Sequence, residues 1–157
     1  MAGRDDLKVP KKQVFVKVFL EDGSIVTGFV FVSDFAETHY GKETVYDLLC
    51  YKGHFLTIKE WDTGDTLFVN KNKIVKIHLK ARIYPELWNL FEERAIRLIM
   101  DNGESIEGKI RAETSAEKSR ISDLINEAGG FLALETKNGE ILVNTSKVKI
   151  IKTADEG

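Results

Sequence analysis

The sequence of this 157-residue chain lacks several features on which large classes of proteins depend. Its single cysteine, Cys50, excludes an intramolecular disulfide. No apolar run approaches the ~18 residues of a membrane-spanning helix, and the N-terminal segment MAGRDDLKVPKK has no hydrophobic signal core. We therefore predict a cytoplasmic protein that has no disulfide and does not bind a membrane.

An excess of charge is also missing. The 23 basic and 25 acidic residues give a formal net charge of −2 at pH 7. A protein that coats nucleic acid along its whole surface needs a strong basic excess. The balanced charge therefore argues against a protein that coats nucleic acid constitutively. A local basic strip is still compatible with this balance.

The residue patterns of catalysis and metal binding are absent as well. The three histidines, His39, His54 and His78, show neither HxH nor HxxxH spacing, and no cysteine pair accompanies them. No serine lies in the strand-turn-helix context of a nucleophile, and no glycine-rich phosphate loop is present. We predict no catalytic residue, no cofactor and no metal site, and we interpret Cys50 as a small buried hydrophobe.

What the chain does contain is an internal duplication. Residues Val16 to Ile77 and Ile96 to Ile151 share one order of strands, glycine turns and polar loops. The matched positions are Gly23 with Gly103, Gly28 with Gly108, Asp47-Leu48 with Asp123-Leu124, Phe55-Leu56 with Phe131-Leu132, Val69-Asn70 with Val143-Asn144, Lys73 with Lys147, and Ile74 with Val148. Length differences fall in loops and identities fall at turns and core positions, as in a structural repeat.

Each copy predicts five short strands, mostly connected by hairpins. Apolar and polar residues alternate in the strand segments. The Asp22-Gly23 and Asn102-Gly103 pairs predict tight hairpin turns. The glycines inside the following strands, Gly28 and Gly108, indicate a bulge, a sharp bend or a close backbone contact.

Helical patterns are short. Pro85 to Arg94, between the two copies, predicts a convincing helix with Leu87, Leu90 and Phe91 on one face. Asp47 and its counterpart begin shorter helical turns, and we interpret both as helix caps and not as acids of a reactive site.

Each copy resembles the Sm-like pattern, in which a strand, a turn glycine and a second strand with an internal glycine precede a strand, a tight turn and an Ile-x-x-Ile strand. The first copy carries it as VKVFLEDGSIVTGFVFVSD and LFVNKNKIVKI, and the later copy as LIMDNGESIEGKI and ILVNTSKVKII. The chain is also similar to a group of uncharacterised bacterial proteins with a DGxxxxG hairpin, a Ser-Asp-Leu-type segment and a Phe-Leu strand. That second resemblance brings no known activity.

We therefore predict a mainly β protein made of two tandem five-stranded Sm-like or SH3-like barrels joined by one helix. The predicted first barrel spans residues 13–80, the helical linker 81–94 and the second barrel 95–153, with flexible termini at 1–12 and 154–157. A repeat of roughly 60 residues has a marginal core by itself. The barrels are expected to pack together or to pair with another chain.

The leading functional hypothesis is a non-catalytic interaction module of unknown pathway. It would act by binding a protein partner or itself, because small barrels commonly associate through exposed strand edges. The candidate contacts are Trp61, Trp88 and Phe91, and we expect a homo-oligomer.

The alternative hypothesis is an Sm-like protein that binds RNA or DNA. Its candidate contacts are Lys71, Lys73, Lys76 and Lys80. RNA-binding Sm-like proteins typically carry an Asp-x-x-x-Asn loop and an Arg-Gly or Lys-Gly pair. At these places this chain has Asp34 with Thr38, and Asn70-Lys71.

Overall fold

The structure is a computed structural model that describes residues 11–34, 41–51, 53–79, 91–113, 122, 125–126 and 129–153, with the backbone alone at 91–92 and 111–113. In the first copy the elements are β1 (Lys11–Leu20), β2 (Ile25–Ser33), helix α1 (Val45–Tyr51), β3 (Phe55–Glu60), β4 (Thr66–Asn70), a 3₁₀ turn (Lys71–Lys73) and β5 (Ile74–Leu79). In the second copy they are β6 (Phe91–Met100), β7 (Ser105–Glu113), β8 (Phe131–Thr136), β9 (Gly139–Asn144), a 3₁₀ turn (Thr145–Lys147) and β10 (Val148–Thr153).

The described strands form one ten-stranded antiparallel sheet in the order β10-β6-β7-β8-β9-β5-β1-β2-β3-β4. Strands β1 to β5 occupy neighbouring positions, as do β6 to β10, and we call these groups the first and second units. Both units have the same internal order, in which the fifth strand lies outside the first. The prediction of a mainly β chain is confirmed, and the sheet that carries it is not closed into a barrel.

The two units are joined by antiparallel pairing of β5 with β9, which we call the junction. Its register pairs Lys76 with Val143, Ile77 with Leu142, His78 with Ile141, and Leu79 with Glu140. The fifth strand of one unit therefore continues the sheet from the fourth strand of the other.

Two hydrophobic cores lie on the sheet, and each takes residues from both units. The first core contains Ile77 and Val18 of the first unit together with Phe131 and Leu142 of the second. The second core contains Val75 of the first unit among the residues of β6 to β9. Since successive strand residues point to opposite faces, Leu142 faces the first core while its neighbours on β9 face the second.

Two described strands extend into segments for which the sequence predicted other structure. Strand β6 begins at Phe91, which pairs with Glu113 of β7, so residues 91–94 are strand and not the last turn of the predicted helix that ends at Arg94. The charged residues after Phe91 do not show the strand pattern, and apolar residues typical of a strand recur only from Ile96 to Met100. Strand β1 begins at Lys11, inside the segment predicted to be flexible. The rest of the predicted linker helix and the other terminal residues lie outside the described residues.

The predicted hairpin turns are present in both units. Gly23 has φ +91° and Gly103 has φ +92°, a backbone conformation that favours glycine. The side chain of Asp22 accepts a hydrogen bond from the Ser24 amide at 2.9 Å, and Asn102 accepts one from the Glu104 amide at 2.9 Å. The two turns are therefore built in the same way.

Helix α1 is capped at its N-terminus by a reciprocal pair of hydrogen bonds. The Thr44 amide donates to the Asp47 carboxylate at 2.8 Å, and the Asp47 amide donates to the Thr44 hydroxyl at 3.2 Å. This is a capping box in which aspartate replaces the usual glutamate. Asp47 thus stabilises the helix start, as its sequence context indicated, and its counterpart Asp123 is outside the described residues.

The internal glycines allow close approach between the second and third strands of each unit. A Cβ atom on Gly28 would overlap the Lys59 carbonyl oxygen of β3, and one on Gly108 would lie 2.9 Å from the Glu135 carbonyl oxygen of β8. The sequence left a bulge, a sharp bend and a close backbone contact open, and the structure shows the close contact at both positions.

Alanine at position 28 should therefore destabilise the fold. We expect Gly28→Ala to lower the free energy of unfolding by about 1–3 kcal/mol, because the new methyl group forces β2 away from β3. Gly108→Ala should cost less, since its contact is longer. Urea unfolding of the two variants beside the parent chain measures the difference, and equal stability of Gly28→Ala and the parent would contradict the close approach.

Candidate interaction edges of the sheet

The two ends of the sheet are strand edges to which no other described strand is paired. Strand β4 ends the first unit and β10 ends the second. An edge strand presents a row of backbone N–H and C=O groups that another strand can join. These edges are the counterparts of the two strands that meet at the junction, because β4 corresponds to β9 and β10 corresponds to β5.

Large apolar side chains lie exposed near both edges. Phe68 on β4 is 68% exposed and Phe55 on β3 is 53% exposed. Ile150 on β10 is 47% exposed. Adjacent exposed aromatic residues at a strand edge are unusual for a monomer and typical of an interaction surface.

The counterparts of the two phenylalanines are buried. Phe131 corresponds to Phe55 and is 4% exposed, and Leu142 corresponds to Phe68 and is fully buried. Both counterparts belong to the first core, which is built largely by the other unit. The two positions are therefore exposed in the first unit, where β4 lies at the end of the sheet, and buried in the second unit, where β9 lies beside β5.

Polar contacts fix the junction beside these apolar residues. The Asn144 side-chain amide donates to the carbonyl oxygens of Lys71 at 3.3 Å and Ile74 at 2.8 Å. The Tyr46 hydroxyl accepts a hydrogen bond from the Gly129 amide at 3.2 Å. Burial raises the pKa of the Tyr46 phenol, so it stays protonated. The junction is thus both apolar and specifically hydrogen-bonded.

Of the aromatic residues predicted from the sequence to be contacts, one has a described side chain. Trp61 lies in the turn between β3 and β4 and is 63% exposed. Trp88 lies outside the described residues, and of Phe91 only the backbone is described. The sequence analysis missed Phe55 and Phe68, whose alternation with Leu56 and Val69 places them on the face opposite the core of their own unit.

Lys71, predicted as a nucleic-acid contact, is a buried helix cap. Its ammonium donates to the carbonyl oxygens of Leu48 and Gly53, the latter at 2.8 Å, at the end of helix α1. Burial lowers the pKa of the Lys71 ammonium. Its positive charge lies at the C-terminal end of the helix, where it is favourable.

The other lysines of that group form ion pairs or are not described. Lys73 lies 3.2 Å from the Glu21 carboxylate, and Lys76 lies 2.5 Å from the Glu104 carboxylate. Lys80 lies outside the described residues. The proposed basic strip is therefore largely neutralised where the structure describes it.

A cationic and aromatic cluster that the sequence analysis missed lies beside the junction. The centroids of the Phe19 and His78 rings are 4.7 Å apart. The Lys76 ammonium lies 4.9 Å from the centroid of the Phe19 ring, and the Lys17 ammonium lies 5.7 Å from it. Burial lowers the pKa of His78, and the positive charges of Lys76 and Lys17 lower it further. His78 Nε2 is buried with no hydrogen-bond partner among the described residues.

Two candidates for reactive chemistry within the described part of the chain are the Cys50 thiol and clusters of metal-binding side chains. Cys50 packs against the first core, and burial raises the pKa of its thiol, which makes it a weak nucleophile. Within the described ranges, no three His, Cys, Asp or Glu side chains come together in a way that would hold a metal ion.

No family model, no curated protein and no solved structure matches this chain. The helical segments that the structure describes include none of the length and apolar character needed to span a membrane.

The role of Lys71 as a helix cap predicts a stability effect. Lys71→Met keeps the apolar stem and removes the ammonium, so we expect a loss of about 1–3 kcal/mol in the free energy of unfolding as two carbonyl groups lose their donor. Lys73→Met, which removes an exposed ion pair, should cost about 0–1 kcal/mol. Urea unfolding separates the two, and equal effects would contradict the cap.

The half-buried imidazole of His78 predicts a dependence of stability on pH. The unfolded chain binds a proton at His78 as the pH falls through about 6.5, while the folded chain, in which the pKa of His78 is lowered, binds it only at lower pH. The contribution of this group is therefore complete above pH 6.5 and is lost as the pH falls below it. Thermal unfolding at pH 7.5 and 5.5 should show a smaller loss in His78→Gln than in the parent. The exposed His54→Gln should behave like the parent, and identical losses in all three would refute the assignment.

Proposed function

We propose that this chain is a non-catalytic interaction module of the cytoplasm, which acts by binding protein through the edges of its sheet and associates with itself. We also propose that each unit is an Sm-like or SH3-like module, since both have five strands in the same order. One observation carries the functional proposal. Phe55 and Phe68 are exposed at the positions where Phe131 and Leu142 are buried by a neighbouring unit.

The physical argument is that the exposed surface has a defined complement. Full burial of a phenylalanine side chain contributes roughly 1.5–3 kcal/mol, so covering Phe55 and Phe68 offers a substantial part of an interface. The backbone groups of β4 add directional hydrogen bonds that an apolar patch alone does not offer. Together they favour a strand of another protein molecule as the ligand.

Binding of RNA or DNA has less support. The ammonium of Lys71 donates to carbonyl groups, and Lys73 and Lys76 are paired with glutamates. The Phe19 ring beside Lys76 packs against the His78 ring and the Lys76 ammonium, and these contacts compete with stacking on a base.

Solution mass and the ratio of absorbance at 260 and 280 nm, measured at low and at high salt, test the proposal. We expect a low ratio and the same multiple of 17.8 kDa at both salt concentrations. A high ratio that collapses with salt, with the mass falling in step, would replace the proposal with nucleic-acid binding. A monomer at every concentration would refute self-association.

A charge at position 68 should dissociate the assembly. Phe68→Glu places a carboxylate where an apolar contact is expected, so we predict the monomer mass for this variant. Its thermal unfolding should stay close to that of a dissociated parent, because exposed positions contribute little to folding.

Trp61→Glu is the matched control, since Trp61 is equally exposed but lies in a turn. It should keep the mass of the parent. Dissociation by Trp61→Glu and not by Phe68→Glu would move the contact from the strand edge to the tryptophan.

A further inference from the structure

We infer that the partner of strand β4 is strand β10 of a second copy of this chain, paired in the register that joins β9 to β5 at the junction. This inference rests on the proposed function and makes it specific. The internal duplication provides the template, because one chain already contains a complete contact between a fourth and a fifth strand.

The register follows from the matched positions. Val69 corresponds to Val143, so each β9 residue in the junction is replaced by its β4 counterpart. Ile74 corresponds to Val148, so each β5 residue is replaced by its β10 counterpart. Transferring the observed pairs gives four expected ones. They are Val69 with Ile150, Phe68 with Ile151, Leu67 with Lys152, and Thr66 with Thr153.

The faces of the strands agree with this register. Leu67 and Val69 belong to the first core of their own chain, which leaves Phe68 on the opposite face. Ile151 is partly buried against the second core. In the expected pairing Phe68 enters the second core of the other copy beside Ile151, as Leu142 enters the first core beside Ile77.

The side chain that fixes the junction has a matching counterpart. Asn70 has φ −66° and ψ 120°, and Asn144 has φ −71° and ψ 115°. Each side-chain oxygen accepts a hydrogen bond from the amide two residues later, Asn72 at 2.9 Å or Ser146 at 3.0 Å. The Asn70 side-chain amide is thereby oriented like that of Asn144. We expect it to donate to the carbonyl oxygens at positions 145 and 148 of the second copy.

Charges at the expected contact are complementary. At the junction the Lys147 ammonium lies 2.6 Å from the Glu21 carboxylate. The counterparts are Lys73 on the β4 side and Asp101 on the β10 side, which again carry opposite charges. The second ion pair of the junction, between Lys76 and Glu104, becomes the uncharged pair of Ile150 and Ser24.

This contact is head to tail, because two different edges meet. After every addition the assembly as a whole keeps one free β4 at one end and one free β10 at the other, so it grows until the rotation between chains closes a ring. A two-fold dimer in which β4 pairs with β4 is a different arrangement and gives a different cross-linking result.

Cross-linking between two single-cysteine chains tests the register. In a Cys50→Ser background, Thr66→Cys and Thr153→Cys alter exposed positions that face each other in the expected pairing. Directly opposed strand residues bring their Cβ atoms close enough for a disulfide. On mild oxidation we expect a band of twice the chain mass from the mixture and none from either variant alone. Mixing Thr66→Cys with Lys152→Cys, one position out of register and on the opposite face, should give at least about tenfold less.

The outcomes separate this inference from the proposed function. Cross-linking of Thr66→Cys with itself shows β4–β4 pairing, and an assembled parent whose aligned cysteines fail to cross-link shows another interface. Either result overturns the inference while self-association stands. A parent that is monomeric by mass overturns both.

Asn70→Asp gives a second test that does not depend on cysteine chemistry. It keeps the oxygen that holds the turn and removes the amide donor, so we expect association to weaken by about tenfold or more. The matched Asn144→Asp removes the donor inside the chain and should lower the unfolding midpoint instead. Unchanged association of Asn70→Asp would overturn the expected hydrogen bonds.

Discussion

The pairing of β5 with β9 is the constraint on which the rest of this structure depends. It places Leu142 and Phe131, which belong by sequence to the second unit, inside the first core. It also places Val75 of the first unit in the second core. Neither unit buries its apolar surface alone. Each repeat is too small for a large core of its own, and side chains that the other unit contributes across the junction complete it. The fold is therefore stabilised at a contact between repeats as well as within them.

Two buried polar side chains near the junction hold backbone carbonyl groups in place. Lys71 caps the end of helix α1, and the Asn144 amide bridges two carbonyl groups of the first unit. Lys71 has a lowered pKa, and Cys50 at the same end of the helix has a raised one. Both shifts come first from burial, which favours the neutral lysine and the protonated thiol. Structural networks of buried groups shift pKa values as functional sites do, so these two shifts do not by themselves mark a functional site.

Much of the fold follows from residues that act locally. The turns at Gly23 and Gly103 and the capping role of Asp47 are local effects that the sequence predicted, and the close approach at Gly28 was one of three alternatives that it left open. The continuity of the sheet and the exposure of Phe68 depend on contacts between distant strands. No local pattern distinguishes Phe68 from Leu142, because both alternate with core residues in the same way and differ only in whether a neighbour is present. The candidate site was for that reason less predictable than the fold.

The duplication has a consequence for stoichiometry. Two units are covalently linked in each chain, so in the proposed assembly one contact in every two is made within a molecule and is independent of protein concentration. The proposed contacts between molecules are the ones that dilution would break. Any closed assembly of whole chains must therefore contain an even number of units, and rings with an odd number of units are excluded by the covalent structure itself.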